Sequence, residues 1–311
     1  MRLEGAQVVA LPVVDWIVLG LYFAAMLGVG FYFYRSGKSA TAEGFTKANG
    51  AMPGWVVGLS ILATYLSSIS FLALPGRAYA GNWNAFVFSL SMPLALWAAA
   101  RWFVPYYRAT GEVSAYSHLE TRFGPWARVY AGICYLLTQL ARMGSVMFLV
   151  ALPLHLLLGW EMHWIILLTG ASVIVYTMLG GIVAVLWSDA VQALILMAGA
   201  LLCLALVAFR LPGGVAAGMD YAAAHDKFSL GSFGAAFGES TFWVVLAYGI
   251  VINLQNFGID QNYVQRYVAA RSEQAARRSL WLGGLLYVPV SLVFFLIGTG
   301  LFVFYAQQPE L

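Results

Sequence analysis

The stretch ATYLSSISFLALPG, residues 63–76, is apolar enough for the interior of a lipid bilayer, yet it carries five hydroxyl-bearing side chains within seven positions. A Pro-Gly pair, which tends to break a helix, follows at residues 75 and 76. Irregular backbone is tolerated at membrane depth only where it lines a cavity and can coordinate an ion or a solute. The stretch is thus typical of an interrupted membrane helix with a binding site beside the interruption.

The same residues have an alternative interpretation as a packing seam. Ser60, Thr64 and Ser68 are spaced four residues apart, and Gly54 and Gly58 extend the series toward the amino terminus. Small residues at this spacing let two membrane helices approach closely without binding anything. Spacing alone does not decide between a seam and a site.

A second polar segment, YGIVINLQNFGIDQNYVQRY at residues 248–267, favours a site. It places several amides, a glycine and an aspartate where lipid-facing residues would be expected. Two interrupted polar helices in corresponding positions of two repeats are the strongest sequence indication of a transporter site. The two polar segments lie in the second and the seventh predicted spans. This offset of five spans is what two inverted five-helix repeats require.

Composition places nearly the whole chain in a lipid bilayer. The 311 residues are 62% hydrophobic and 9% charged, with a mean hydropathy of +0.81, which leaves too little polar surface for a soluble globule. The four histidines show no metal-ligand spacing, and nothing indicates nucleic-acid binding. Spans of about 20 apolar residues are predicted at 12–34, 53–75, 84–107, 129–158, 163–180, 184–209, 241–258 and 279–306.

The distribution of Lys and Arg predicts the orientation, because positively charged loops resist translocation. With the amino terminus outside, the inner loops hold eleven of the sixteen cationic residues, the outer segments hold four, and one, Arg142, lies inside a span. We therefore expect a multi-pass protein of the inner (plasma) membrane with its amino terminus outside.

Among the charged residues that fall within predicted spans, Arg142 and Asp189 are the candidates for a functional role. Arg142 is central in its span, where a charge is costly, so we expect it to face the interior and to have a partner. It suits an anion clamp, since guanidinium grips a carboxylate through two parallel hydrogen bonds. Equally open are an ion pair with Asp189 and bonding to the carbonyls of a broken helix. Asp189 itself suits either a cation ligand or the partner of Arg142.

The segment GGIVAVLWSDAVQ, residues 180–192, resembles the signature of the sodium:solute symporter family, which includes sodium/glucose, sodium/proline and sodium/sialic acid transporters. Three further segments support the resemblance, so that it extends from Asp15 to Tyr305, and the chain looks most similar to the bacterial sodium/sialic acid branch. These segments are ATYLSSISFLALPGRAYAGNW (63–83), FVPYYRATGEVSAYSHLETRFG (103–124) and DQNYVQRYVAARS (260–272).

The resemblance implies an all-α LeuT-type bundle of inverted repeats forming one transmembrane domain. The leading helix would be 12–34, the first repeat 53–209 and the start of the second repeat 241–306. Because the family has about five further helices, we expect the 311-residue chain to be a fragment that ends after the second helix of the second repeat and cannot bind sodium tightly on its own.

The resemblance also implies the site residues. The main sodium ion would be held by the backbone carbonyls of Ala63 and Leu66 with the Ser67 hydroxyl, and Asp189 matches a carboxylate of a second sodium site or exit route. Arg142 matches an arginine that binds the solute carboxylate in the sialic acid branch. Two positions depart from that branch, because Ser89 replaces a glutamine and Tyr65 replaces a threonine. The acidic and amide residues of the family's sugar transporters are also absent, with Ile69, Ser70 and Ser89 in their places, so a sugar such as glucose is not expected.

We therefore predict a sodium-coupled symporter for a small organic solute that carries a carboxylate, sialic acid or another organic acid, with sodium co-transported and no organic cofactor. The predicted solute-binding residues are Arg142, Ser67, Ser70, Ser89, Asn253 and Gln255. Two alternatives remain, a symporter-like membrane sensor domain of a signalling protein and an inactive transporter fragment. An enzyme is not expected, because no paired nucleophile and base occur at helical spacing.

Overall fold

A computed structural model of the chain describes residues 12–37, 40–236, 238–308 and 310, and in these ranges the fold is helical, with one isolated bridge between Met52 and Ala270. Two 3-10 turns, Ala48–Gly50 and Trp83–Phe86, and a π-helical turn, Ala99–Phe103, join the α-helices. The α-helices are α1 Val13–Arg35, α2 Ala42–Lys47, α3 Gly54–Tyr65, α4 Ser68–Ala80, α5 Val87–Leu90, α6 Met92–Ala98, α7 Val104–Thr110, α8 Ser117–Phe123, α9 Pro125–Leu158, α10 Met162–Arg210, α11 Gly214–Ala224, α12 Phe242–Ile259, α13 Gln261–Ala269 and α14 Glu273–Gln307.

Six helical segments within the described ranges are long and apolar enough to cross a membrane, and the bent pair α3 and α4 makes a seventh. One of the six is the run from Trp83 to Thr110, which includes α5 to α7. The predicted spans therefore coincide with helices throughout. Of the cationic residues used for the predicted orientation, Arg2 and Lys38 lie outside the described residues.

Helix α10 contains two predicted spans. Its 49 residues would extend for about 70 Å at 1.5 Å per residue, more than twice the roughly 30 Å of a bilayer's hydrocarbon core. Gly181 interrupts it with φ 58° and ψ −160°, a conformation that side chains disfavour. The predicted spans 163–180 and 184–209, the fifth and sixth of the eight, lie on either side of this kink, so one helical element accounts for both of them.

The chain divides into two compact units. The first comprises the described residues of Met1–Asn49 and Tyr116–Ser188, and thus α1, α2, α8, α9 and the first part of α10. Glycines bring its helices together: a Cβ on Gly30 would lie 2.9 Å from the Tyr176 carbonyl oxygen, and one on Gly181 would lie 2.8 Å from the Phe45 ring. The paired glycines at 180 and 181 are thus explained by packing and backbone conformation.

The second unit comprises the described residues of Gly50–Ala115 and Asp189–Leu311. Helix α14 packs along both α3 and α4 within it. A Cβ on Gly283 of α14 would lie 2.4 Å from the Gly58 carbonyl oxygen on α3, and a Cβ on Gly298 would lie 2.1 Å from the Pro75 carbonyl oxygen on α4. The small-residue seam is therefore real at Gly58, while the side chain of Ser68 lies outside the described residues.

The structure corrects two expectations about helix breaks. Helix α4 continues through Pro75 to Ala80, and the interruption lies earlier, at Leu66 and Ser67. The seventh span is not interrupted at all, because α12 runs unbroken from Phe242 to Ile259 and the chain turns only at Asp260, which caps α13. A proline removes one backbone donor without necessarily ending a helix, and the amides of α12 find partners on other helices instead of requiring a break.

Candidate functional site

The interruption between α3 and α4 consists of two residues in extended conformation. Leu66 has φ −80° and ψ 114°, and Ser67 has φ −108° and ψ 168°. The segments Gly54–Tyr65 and Ser70–Ala80 are bent by 53° relative to each other. The chain thus leaves one helix, takes two extended steps and starts another helix in a new direction.

A reciprocal capping box between Ser67 and Ser70 starts the second helix. The Ser67 N–H donates to Ser70 Oγ and the Ser70 N–H donates to Ser67 Oγ, both at 3.4 Å. In a continuous helix these two N–H groups would bond the carbonyls of Ala63 and Leu66, which lie four residues earlier. The capping box therefore withdraws the helical donors from the two carbonyls that the family resemblance predicts as sodium ligands.

The ends of the two helix segments give the break opposite electrostatic characters. The carbonyl end of α3 carries partial negative charge and favours a cation, whereas the amide end of α4 carries partial positive charge and favours an anion. Ser67 and Ser70 are half-buried, and their hydroxyls lie at this junction. The structure thus brings Ala63, Leu66, Ser67 and Ser70 together, in an arrangement that can hold a cation beside an anionic group.

Asp189 belongs to a nearly buried polar cluster on the second unit. Its Oδ2 accepts from Ser60 Oγ at 2.6 Å and from Arg266 Nη2 at 2.7 Å, and Arg266 Nε donates to Ser60 Oγ at 2.8 Å. The Arg266 side chain is 8% exposed and that of Asp189 16%. A fourth bond, from Arg266 Nη1 to the Asn262 carbonyl at 2.7 Å, fixes the guanidinium on α13.

This cluster changes the interpretation of Asp189. The alternative in which Asp189 pairs with Arg142 is wrong for this structure, since its partners are Arg266 and Ser60. Sequence reasoning counted Arg266 only as one of the inner-loop cations and missed it as a site residue. The available signal was its setting in α13 between Tyr263 and Tyr267, where an aromatic-rich helix turn indicates burial.

Helix α13 itself is anchored by Tyr267, whose hydroxyl donates to the Phe257 carbonyl at 2.8 Å. Burial raises the pKa of the Tyr267 hydroxyl well above its ordinary value of 10.0, so the group stays a neutral donor. This bond holds Arg266 in place from the α12 side.

Asn253 on α12 links three helical segments instead of offering a free amide. Its Oδ1 accepts a hydrogen bond from the Tyr65 hydroxyl, and its Nδ2 donates to Ser91 Oγ at 2.9 Å and to the Phe88 carbonyl at 3.4 Å. Asn253 is fully buried. These bonds argue against the predicted direct contact of Asn253 with a solute. They also give a structural role to Tyr65, which stands where the sialic acid branch has a threonine.

The other two polar residues predicted on these elements differ in setting. Ser89 is buried, and its Oγ lies 2.8 Å from Ser291 Oγ, so this hydroxyl also joins helices. Gln255 is exposed and lies two residues beyond the buried Asn253 on α12, on another side of the helix. Of the two, only Gln255 presents an exposed polar side chain, while Ser89 lines a cavity of the second unit.

Arg142 lies in α9 and is exposed, contrary to the expectation that it faces an interior partner. The most apolar stretch of α9 has no buried residue, so Arg142 shares the exposure of its whole helix. Among the described residues no hydrogen bond or ion pair holds its guanidinium. A central membrane arginine without a counter-charge is costly, so this position needs a partner from outside the described contacts.

A cavity of about 400 Å³ lies in the second unit beyond Ser89. We call it the Arg77 pocket, defined by Arg77, Asn84, Phe88, Ser89, Ser240 and Tyr248. With Tyr287, which also lines it, the pocket combines one cationic side chain, amide and hydroxyl groups and three aromatic rings, a composition suited to small-molecule binding.

These features define a multi-pass helical membrane protein whose polar centre is a broken helix, as in secondary transporters. Residues 45–309 match the sodium:solute symporter family, and the chain belongs to that family. The family resemblance drawn from the sequence is thus confirmed, together with the LeuT-type fold class and the multi-pass membrane character that go with it.

Individual relatives agree with this assignment. The chain is 34% identical over 300 residues to the sodium/sialic acid symporter SiaT of Proteus mirabilis (strain HI4320), covering 96% of this chain and 60% of that protein. It is 33% identical over 299 residues to the sodium/sialic acid symporter NanT of Aliivibrio fischeri (strain ATCC 700601 / ES114), covering 96% and 59%. A sodium/iodide cotransporter of Homo sapiens is 29% identical over 297 residues, covering 94% and 46%.

A solved structure is similar as well. It is described as the substrate-bound outward-open state of a Na+-coupled sialic acid symporter, with a TM-score of 0.90 and 33% identity over 95% of this chain and 62% of that chain. This chain therefore spans about 60% of the length of the sialic acid symporters it matches.

Proposed function

We propose that this protein is a sodium-coupled secondary active symporter that imports a small organic solute bearing a carboxylate, sialic acid or another organic acid. The observation that carries the proposal is the capping box at Ser67 and Ser70, which leaves the carbonyls of Ala63 and Leu66 without their helical donors. The family membership and the similarity to sodium/sialic acid symporters support it. The protein would reside in the inner (plasma) membrane with its amino terminus outside.

Sodium would bind first, at the carbonyl oxygens of Ala63 and Leu66 and the hydroxyl of Ser67. Oxygen ligands from the end of a half-helix suit a hard monovalent cation and are matched by the partial negative charge there. A sodium ion that reached Asp189 would have to compete with Arg266, which already satisfies that carboxylate. Coupling requires that the ion favour the solute-competent conformation, with a differential affinity of about 1–3 kcal/mol.

The solute would be recognised through its carboxylate. We assign Arg142 to the carboxylate, because its guanidinium is exposed and lacks a described counter-charge. Ser70, at the positive end of α4, and the exposed Gln255 would donate hydrogen bonds. Ser89 and Asn253 would act indirectly, by holding the helices that surround the break.

Sodium-dependent thermal stabilisation of the purified full-length protein tests the ion site, since a ligand that binds the native state raises its stability by mass action. We expect sodium, but not choline at equal ionic strength, to raise the melting temperature. Ser67→Ala should reduce the sodium-dependent rise, and Ser67→Thr should retain most of it because Thr supplies the same cap and hydroxyl. An equal rise in wild-type protein and Ser67→Ala would refute the assignment of this site.

Uptake by the full-length protein in proteoliposomes tests the solute assignment, using a panel of sialic acids, monocarboxylates, amino acids and iodide under an inward sodium gradient. We expect uptake of a carboxylate-bearing solute that collapses without sodium. Arg142→Lys keeps the charge but loses the two-pronged geometry, and Arg142→Gln loses both, so uptake should fall in that order. Unchanged uptake of the acid by Arg142→Gln would rule out the clamp, while sodium-driven uptake of uncharged solutes alone would rule out the solute class.

A further inference from the structure

The Arg77 pocket is lined by residues of α4, α5, α12 and α14, of the 3-10 turn Trp83–Phe86 and of the segment before α12. Arg77 comes from the last turn of α4, Asn84 from the 3-10 turn Trp83–Phe86, Ser89 from α5, and Tyr248 from α12. Nine residues separate Arg77 from the first residue of α4, which is about 14 Å along the helix. Arg77 is therefore remote from the break at Leu66 and Ser67, whereas the opposite wall of the pocket reaches toward the break, because Tyr287, which also lines the pocket, packs against Tyr65.

The guanidinium of Arg77 has no described structural task. Arg77 is exposed, and none of the hydrogen bonds or ion pairs among the described residues uses its side chain. A cation near a helix carboxyl end is favoured by the helix dipole, but the buried Lys227 already fills that role. Lys227 Nζ donates to the carbonyls of Tyr79 and Gly81 at 2.8 and 2.9 Å, and it lies 3.7 Å from the centre of the Phe302 ring.

The walls of the pocket suit the rest of an organic anion. The rings of Phe88 and Tyr248 lie with their centroids 6.0 Å apart, which provides an apolar surface. The hydroxyls of Ser240 and Tyr248 make no hydrogen bond to any described residue, so both are open to a ligand. Among the described residues that line the pocket, Arg77 is the only charged one.

We propose that the Arg77 pocket is a second anion-binding site, in which Arg77 binds the carboxylate of a small hydroxylated organic acid and Ser240 and Tyr248 bind its hydroxyl groups. A single positive charge in a cleft with low-dielectric walls concentrates anions there and selects them over neutral analogues. The solute class rests on the proposed function, but the site itself does not. The pocket would hold the acid before it reaches the broken helix and would lower the KM without taking part in sodium binding.

Equilibrium binding tests the site without requiring transport. The probes are N-acetylneuraminate and lactate, each paired with an uncharged counterpart, the methyl ester and lactamide, in sodium-free choline buffer. We expect at least one acid to raise the melting temperature more than its neutral counterpart. Arg77→Gln should weaken that binding about tenfold to a hundredfold, the effect of losing charge-assisted hydrogen bonds to a carboxylate, and Arg77→Lys should restore part of it.

Arg210→Gln is the matched control, because Arg210 is also exposed, ends α10 and is predicted on the same outer side, but does not line the pocket. It removes the same charge and should leave binding unchanged. If Arg77→Gln and Arg210→Gln weakened acid binding equally, the effect would come from the loss of net charge alone, and the proposal would be overturned. The absence of acid-selective binding by wild-type protein, or unchanged binding by Arg77→Gln, would overturn it as well.

Uptake kinetics separate this proposal from the proposed function. We expect Arg77→Gln to raise the KM for the acid about tenfold or more with an unchanged maximal rate and an unchanged sodium-dependent stabilisation. If wild-type protein shows no sodium-coupled uptake while acid binding still depends on Arg77, the proposed function fails and the Arg77 site stands. If uptake is sodium-coupled and its KM does not respond to Arg77→Gln, the second site fails and the proposed function stands.

Discussion

Replacing Arg266 by methionine should destabilise the protein strongly, because it leaves the Asp189 carboxylate without its cationic partner. The carboxylate is 16% exposed and would keep only the 2.6 Å bond from Ser60, which itself loses the Arg266 Nε donor. Removing one partner of a buried ion pair costs about 3–5 kcal/mol. Removing both charges in Asp189→Asn/Arg266→Met avoids the uncompensated charge and should cost only about 1–2 kcal/mol, as lost hydrogen bonds do.

Thermal unfolding in detergent, followed by tryptophan fluorescence, gives the measurement. At roughly 2 °C per kcal/mol for a chain of this size, Arg266→Met should lower the melting temperature by about 6–10 °C. Arg277→Met is the control, because the Arg277–Glu273 pair is similarly short at 2.6 Å but its side chains are 39% and 46% exposed, so its loss should cost at most about 1 kcal/mol. An effect of Arg266→Met no larger than that of Arg277→Met, or an equal loss in the double variant, would refute the reasoning.

Three further substitutions test the packing of the second unit by the same unfolding measurement. Tyr65→Phe leaves the buried Asn253 Oδ1 without its donor and should cost about 1–3 kcal/mol; no change would mean that the bond contributes nothing. Gly298→Ala should be severely destabilising because its Cβ would strike the backbone of α4, whereas Gly199→Ala, with open space around it, should be neutral or slightly stabilising; equal effects would contradict the close approach. Burial lowers the pKa of the Lys227 ammonium, so the unfolded chain holds that proton more tightly than the folded chain does. The free energy of unfolding of wild-type protein should therefore rise relative to that of Lys227→Met as the pH rises toward 10.5, the ordinary lysine value. A relative fall in the wild-type value over this pH range would contradict the prediction.

Local patterns predicted the helices well because a membrane span needs only a continuous apolar run. The break at Leu66 and Ser67 was also within reach of the sequence, since two serines three residues apart can cap a helix reciprocally. The Pro75-Gly76 pair was the more conspicuous signal, yet α4 continues through it. A proline within a helix costs free energy, but it does not have to end the helix when a long neighbour packs against that helix. Helix α14 packs against α4 in this way.

The tertiary partners were not predictable in the same way. Asp189 and Arg266 are 77 residues apart, and charge counting treats Arg266 as a marker of topology only. The polar residues of α12 suggested a broken helix because their hydrogen-bond partners could not be seen in the sequence. No local pattern reveals that Tyr65 and Ser91 bind Asn253. Single-sequence reasoning identifies polar groups that need partners, but it does not tell a ligand from a side chain on another helix.

Helix α14 contacts both halves of the broken helix through two glycines, so the distance between these glycines fixes the two contact points. Gly283 meets α3 at the Gly58 carbonyl, and Gly298 meets α4 at the Pro75 carbonyl. The two glycines are fifteen positions apart in sequence, about 22 Å of helix, and each residue turns the helix by about 100°. One residue inserted or deleted between them would swing one glycine away from its carbonyl, so the spacing along α14, and not only the two glycines, is part of what the broken helix requires.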